Sequence, residues 1–127
     1  MTVYTAPLAD IDFVLRRFCG LESIMALPTF ADVDASVVPD MLGEAARFFE
    51  DTFAPLNKSG DEQGSVRNAD GSVTTPAGFK EAYRAYVEAG WGAVGFHPGF
   101  GGGGFPWVVN IAIQEMMNSA NMALTMA

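Results

Sequence analysis

One cysteine, one histidine and seven basic residues are all that this 127-residue sequence offers of those types. The lone Cys19 rules out an internal disulfide and a cysteine-built zinc site. It reads as a small buried hydrophobe at the end of a short helix. His97 has no second histidine and no acidic cluster at ligand spacing, so it reads as a local hydrogen-bonding residue, with no metal expected. Seven bases against fifteen acids give a net charge of -8. Such a field repels phosphate backbones, so nucleic acid is not an expected partner, and it opposes docking on an anionic membrane. Long apolar runs are missing as well: Asn110, Gln114 and Glu115 interrupt the longest, and no membrane insertion is expected. The start, "MTVYTAPLADID", lacks a basic-then-apolar leader pattern, and a cytoplasmic location is expected.

What is present points to one helical domain. Half of the residues are apolar, which separates the chain from disordered sequences. "LADIDFVLRRFCG" reads as a short helix, opened near Asp10 or Asp12 and stopped by Gly20. Asp34 is the expected N-cap of a longer helix with Pro39 in its first turns. Val38, Met41, Leu42, Ala45, Phe48, Phe49, Phe53 and Leu56 recur along it at spacings of mostly three and four, and Pro55 ends it. "SGDEQGSVRNADGSVTTP" is polar, and its Asn68-Ala69-Asp70-Gly71 between two valine-containing arms favours a turn or small β-ribbon. Thr75 and Pro76 are the expected N-cap and first position of a helix carrying Phe79, Ala82, Tyr83, Tyr86 and Val87 on one face, with Gly90 as its stop. Pro106 opens a last helix. The expected fold is all-α, a helical bundle with one small β-hairpin.

Between the last two helices lies "HPGFGGGGFP". Gly99, Gly101 and Gly104 match the dinucleotide fingerprint literally, but Pro98 precedes them and Leu124 stands where the acid belongs. No Lys-Ser or Lys-Thr follows, which removes a Walker loop too. Trp91, Phe96, Phe100, Phe105 and Trp107 surround the glycines, whereas flexible linkers are polar. An ordered loop with a close backbone approach, to another backbone or to a ligand, is expected.

The last helix is unusual in a different way. Asn110, Gln114, Asn118, Asn121 and Thr125 draw a neutral polar stripe along it, and Glu115 is its one charge. The rest is Val, Ile, Met, Ala and Leu, the composition of a helix buried on most sides. Leaving several such side chains wet forgoes roughly 1.5–3 kcal/mol each, which rivals a domain's whole stability of ~5–15 kcal/mol. Two preceding amphipathic helices cannot cover it all. Either the chain self-associates through this helix, or it is the front part of a larger protein whose remainder covers it; the second is the expectation taken forward.

"YTAPLADIDFVL", "APLN", "TTPAGFKEAYRAYVEAGW", "HPGFGGGGFP" and "EMMNSAN" together resemble, in order and spacing, the N-terminal part of a large-subunit group of acyl-CoA dehydrogenases, the group that includes 3-methylmercaptopropionyl-CoA dehydrogenase. The resemblance implies an FAD enzyme that removes two hydrogens from an acyl-CoA thioester, a glutamate taking the α proton and the flavin the β hydride. It divides the chain into an N-terminal extension with a short helix (1–33) and the family's N-terminal helical domain (34–127), without the middle β and C-terminal helical domains. Flavin and catalytic glutamate belong to those missing parts. So the resemblance implies no catalytic residue here, a chain inactive alone that does not retain FAD, and Glu115 in a structural or inter-domain role. By the same resemblance Phe100, Gly101 and Gly102 lie near the acyl pocket, while Ala120, Asn121, Leu124 and Thr125 face the acyl chain. "GFGGGGFP" carries more glycine than is usual in that family, which leaves the register of its contacts open. Acyl-CoA, the missing domains and further copies of the chain are the expected partners. The alternative is a stand-alone helical oligomerisation module without catalysis.

Overall fold

A computed structural model describes residues 4–126. Helix α1 (Leu8–Phe13) runs directly into a π-helical turn, Val14–Phe18. Gly20 then takes a left-handed φ of 68°, the stop its position suggested. Helix α2 (Leu21–Met25) follows. The Asp34 carboxylate accepts the Ser36 N–H at 2.8 Å, closing a 3₁₀ turn that leads into α3 (Val38–Phe48) with Pro39 in the first turn. Asp34 thus caps the turn before the helix, and α3 itself follows Val37 with no side-chain cap of its own.

Past Phe48 the backbone widens into a second π-helical segment, Phe49–Phe53, in which Ala54 donates to the Phe49 carbonyl at 2.9 Å. Pro55 interrupts the ladder because it has no N–H, but it does not end helical structure there. Its fixed φ suits a helix start, and α4 (Leu56–Gln63) begins at the next residue. The polar reading of residues 59–63 as turn or ribbon is corrected accordingly. What holds this polar helix is packing: a Cβ on Gly60 would lie 2.5 Å from the Phe79 ring, and Gln63 accepts the Ala77 N–H at 2.9 Å.

The expected ribbon forms just beyond it. Strands β1 (Val66–Arg67) and β2 (Val73–Thr74) pair antiparallel, Val66 opposite Thr74 and Arg67 opposite Val73. Helix α5 (Phe79–Glu88) starts later than the Thr75–Pro76 pair predicts, because Gly78 (φ 86°) makes the turn into it. Phe79 and Ala82 are buried and Tyr86 half-buried, while Tyr83 and Val87 of the expected apolar face are exposed. Gly90 ends the helix with φ 76°.

Helix α6 (Trp107–Thr125) is the longest element. Val109, Ile113, Met116 and Ala120 of α6, Val38, Leu42 and Ala45 of α3, and Phe49 and Phe53 of the π segment share one core. Phe48, Phe49 and Phe53 meet in edge and tilted arrangements at 5.3–5.9 Å, the geometry aromatic pairs prefer. Ile11, Leu15, Leu21 and Met25 of the first segment belong to the same core. Glu50 fixes that segment, accepting the Ala6 N–H at 2.7 Å. The architecture is the expected all-α bundle with one small hairpin.

Candidate functional site

The glycine loop is ordered by its own main chain. Phe100, Gly102, Gly103, Gly104 and Phe105 donate to the carbonyls of His97, His97, Ala93, Phe96 and Val94 over 2.9–3.2 Å, and Gly101 donates to Pro98. Gly101 and Gly104 hold left-handed φ values of 83° and 70°. A Cβ on Gly102 would fall 2.0 Å from the Phe96 carbonyl oxygen, and one on Gly103 2.9 Å from that of Val94. The close approach read from the sequence is thus backbone against backbone. His97 has the local role expected, its Nδ1 accepting the Gly99 N–H at 3.0 Å.

These bonds also test the loop as a phosphate cradle. A cradle needs N–H groups free to face an anion, and every N–H from Gly99 to Phe105 is spent within the loop region. The residues of this loop do not fit the pyrophosphate of a flavin dinucleotide.

The amide stripe of α6 is turned inward. Asn110 and Asn121 are buried, and Gln114, Asn118 and Thr125 are half-buried. Thr125 donates to Asn118 Oδ1 at 2.7 Å, and Asn118 donates to the Gln114 carbonyl at 2.8 Å. The flank next to it carries Trp107, Ile111, Glu115, Ser119, Met122 and Met126, all exposed and spaced by four, four, four, three and four. Trp107, Ile111, Met122 and Met126 are 56%, 55%, 59% and 78% exposed. A surface helix ordinarily wets only its polar side; besides the apolar face it buries in the core, α6 leaves these four large apolar side chains wet.

Of the residues linked to an acyl pocket, Ala120, Asn121 and Leu124 are buried, Thr125 half-buried, and Phe100 91% exposed. Phe100, Gly101 and Gly102 precede the first turn of α6, and the other four sit on its last turns. At 1.5 Å per residue, the two groups are separated by roughly 20 Å along the helix. They do not converge on one point.

Two concavities border α6. One, of about 660 Å³ and open to the surface, is lined by Val73, Thr75, Pro76, Phe79 and Tyr83 of the β2–α5 region, with Leu124 from α6. Sequence reading passed over this stretch, since Gly78 and Gly60, which bring α4 and α5 together, have no local signature. The other, of about 300 Å³, lies between Ile11, Val14, Leu15 and Cys19 on one side and Trp107 and Ile111 on the other. Cys19 is half-buried there rather than fully buried. Glu115 stands at the rim, exposed, and takes part in no ion pair among the described residues. Burial, with Glu50 and Glu115 nearby, pushes the Tyr4 phenol above its usual pKa. Among the described residues no three His, Cys, Asp or Glu side chains cluster as metal ligands, and no helix is long and apolar enough to cross a membrane.

Similarity to known proteins extends over nearly the whole chain. The sequence is 35% identical over 120 residues, 94% of its length, to 3-methylmercaptopropionyl-CoA dehydrogenase of Ruegeria pomeroyi. It is 33% identical over 99% of its length to the broad-specificity linear acyl-CoA dehydrogenase FadE5 of Mycobacterium tuberculosis, and 29% identical over 97% to butyryl-CoA dehydrogenase of Syntrophomonas wolfei. The chain matches one segment of acyl-CoA dehydrogenases. It covers 20%, 21% and 20% of those relatives, about a fifth of the length of each. No protein-family model matches the chain.

Proposed function

We propose that this chain is the N-terminal helical segment of a flavin-dependent acyl-CoA dehydrogenase, with residues 1–33 as its extension and 34–127 as the helical domain proper. In this reading the last turns of α6 form one wall of the acyl pocket through Leu124 and Thr125, with Ala120 and Asn121 packed behind them, and Phe100, Gly101 and Gly102 stand at the far end of the same helix. One ligand meets both groups only by running along α6. The wall suits such a ligand because it is apolar with a few neutral polar groups and no charge. FAD is held outside this chain, in keeping with a loop whose N–H groups are all engaged.

The exposed apolar stripe of α6 is the observation that carries this reading beyond the sequence matches. Its four large side chains, each more than half exposed, forgo on the order of 1 kcal/mol apiece while wet. The remainder of the same polypeptide is the cover, and the assembled enzyme is a homo-oligomer acting in the cytoplasm on acyl-CoA.

The test compares two proteins, the 127-residue chain and the product of the whole reading frame that contains it. The longer product is expected to be yellow and to reduce a dye when given acyl-CoA; the short chain is expected to lose added FAD on gel filtration and to reduce nothing. A stop codon directly after Ala127, or stoichiometric FAD retained by the short chain, would overturn the proposal in favour of a stand-alone oligomerisation module.

A further inference from the structure

Helix α6 contains one residue that is not helical. Asn121 has φ -162° and ψ 89°, an extended backbone inside a nineteen-residue helix. No proline or glycine follows Asn110 in this helix, so the usual causes of a sharp helix break are absent. The side chain supplies a cause. Asn121 Oδ1 accepts the Leu124 N–H at 3.1 Å, as an N-cap does for the turn beginning after it. Asn121 Nδ2 donates to the Phe53 carbonyl at 3.2 Å, across 68 residues of sequence. That carbonyl lies where the π segment gives way to Ala54–Pro55, and the nearby Asn57 N–H is already donated to Ala54. The asparagine is 1% exposed, so both ends of its amide are used in a place where an unpaired polar group is costly.

We infer that Asn121 is a positioning residue: its amide ties two backbone irregularities, the π segment Phe49–Phe53 and the break in α6, into one unit that aims the last turn and places Leu124 on the wall of the 660 Å³ concavity beside β2 and α5. The inference concerns geometry. It bears on catalysis only through the proposed acyl wall.

The experiment uses the product of the whole reading frame with Cys19→Ser and nitroxide labels at Lys80→Cys and Ala123→Cys, both exposed in this chain and neither on the stripe that the rest of the polypeptide covers. Pulsed dipolar EPR measures the distance between them. The Asn121 protein is expected to give one narrow distribution. Asn121→Ala loses both bonds, and its mean distance is expected to move or spread by roughly 5 Å, about one helical turn. Asn121→Asp keeps the acceptor for Leu124 but offers Phe53 no donor. Its mean distance is expected to move or spread as well, by less than in the alanine variant, because the local cap on Leu124 remains while the tie to Phe53 is lost. An unchanged distance in Asn121→Ala, or in Asn121→Asp, overturns the inference. Should the alanine variant fail to fold, the aspartate variant decides alone. Octanoyl-CoA titration of the same proteins reads the acyl-wall proposal separately: distances that shift as expected with unaltered octanoyl-CoA affinity leave the positioning role standing and remove the wall.

Discussion

The glycine loop and the last helix both break the ordinary rules for surface sequence, yet they resolve the breach in opposite ways. The loop gives up side chains so that its main chain can fold onto itself, with Gly102 against the Phe96 carbonyl and each N–H from Gly99 to Phe105 engaged. It is finished within this chain. Helix α6 turns its amides inward and leaves Trp107, Ile111, Met122 and Met126 uncovered. It is finished on one side only. Glycine richness therefore marked a self-contained device, whereas the blander run of Val, Ile, Met and Ala marked the surface that looks outward.

The hardest way to break this contrast is a charge on the finished side of α6. Leu124→Lys places an ammonium at a site only 5% exposed, and is expected to cost about 4 kcal/mol or to unfold the chain outright. Urea denaturation followed by circular dichroism measures it, and a loss below about 1 kcal/mol would mean that this side is not packed as described.

Next in size is Gly102→Ala. The added carbon has no room 2.0 Å from a backbone oxygen, so the loop must shift, at about 3 kcal/mol, the upper range for overpacking. Gly101 has open space around it and only a left-handed φ of 83°, so Gly101→Ala is expected to cost about 1–2 kcal/mol. Equal melting temperatures for the two variants would show that the close approach is not what orders the loop.

How much of this was legible depended on how local each cause is. Gly20, Asp34 and Gly90 act within a few residues of themselves, and the structure uses each where the sequence placed it. The Asn68–Gly71 turn is equally local, with Asn68 donating to the Ser72 carbonyl at 2.8 Å. Helix α4 was not legible, because its polar residues are held by Phe79 and Ala77, which follow it in the chain. Thr75 looked like a cap, but the turn into α5 required a positive φ that Gly78 supplies. Asn121 stood in the list of wall residues without any hint of a break, since its partner Phe53 is 68 positions away. The amide stripe was read correctly as a pattern. Which side it faced followed only from the packing of α3 and the π segment.

A smaller effect separates the two sides of α6 directly. Ile111 is 55% exposed, so Ile111→Lys is expected to change stability by no more than about 0.5 kcal/mol. Its effect should appear instead in association, because a lysine in this stripe disfavours any apolar cover. Light scattering of the chain is expected to show less self-association than the parent. Unchanged scattering would mean that this stripe is not the surface seeking a partner.

The smallest expected effect checks the capping of the 3₁₀ turn that leads into α3. Hydrogen bonds from Ser36, side chain and backbone, hold the Asp34 carboxyl below its ordinary pKa of 3.8. A carboxyl whose pKa is lower folded than unfolded binds protons more readily in the unfolded chain. Its contribution to stability is therefore complete above about pH 4 and fades as the pH falls through the lower folded value. The variant Asp34→Asn keeps an oxygen acceptor for the cap but cannot titrate there, so the stability gap between it and the parent should be present near neutrality and close on acidification. Asp70 accepts from Ser72 in the hairpin turn and is shifted in the same direction, which makes Asp70→Asn the matching control at a site outside any helix. A gap for Asp34→Asn that stays constant from pH 7 to pH 2 would show that the carboxylate is not what caps the turn leading into α3.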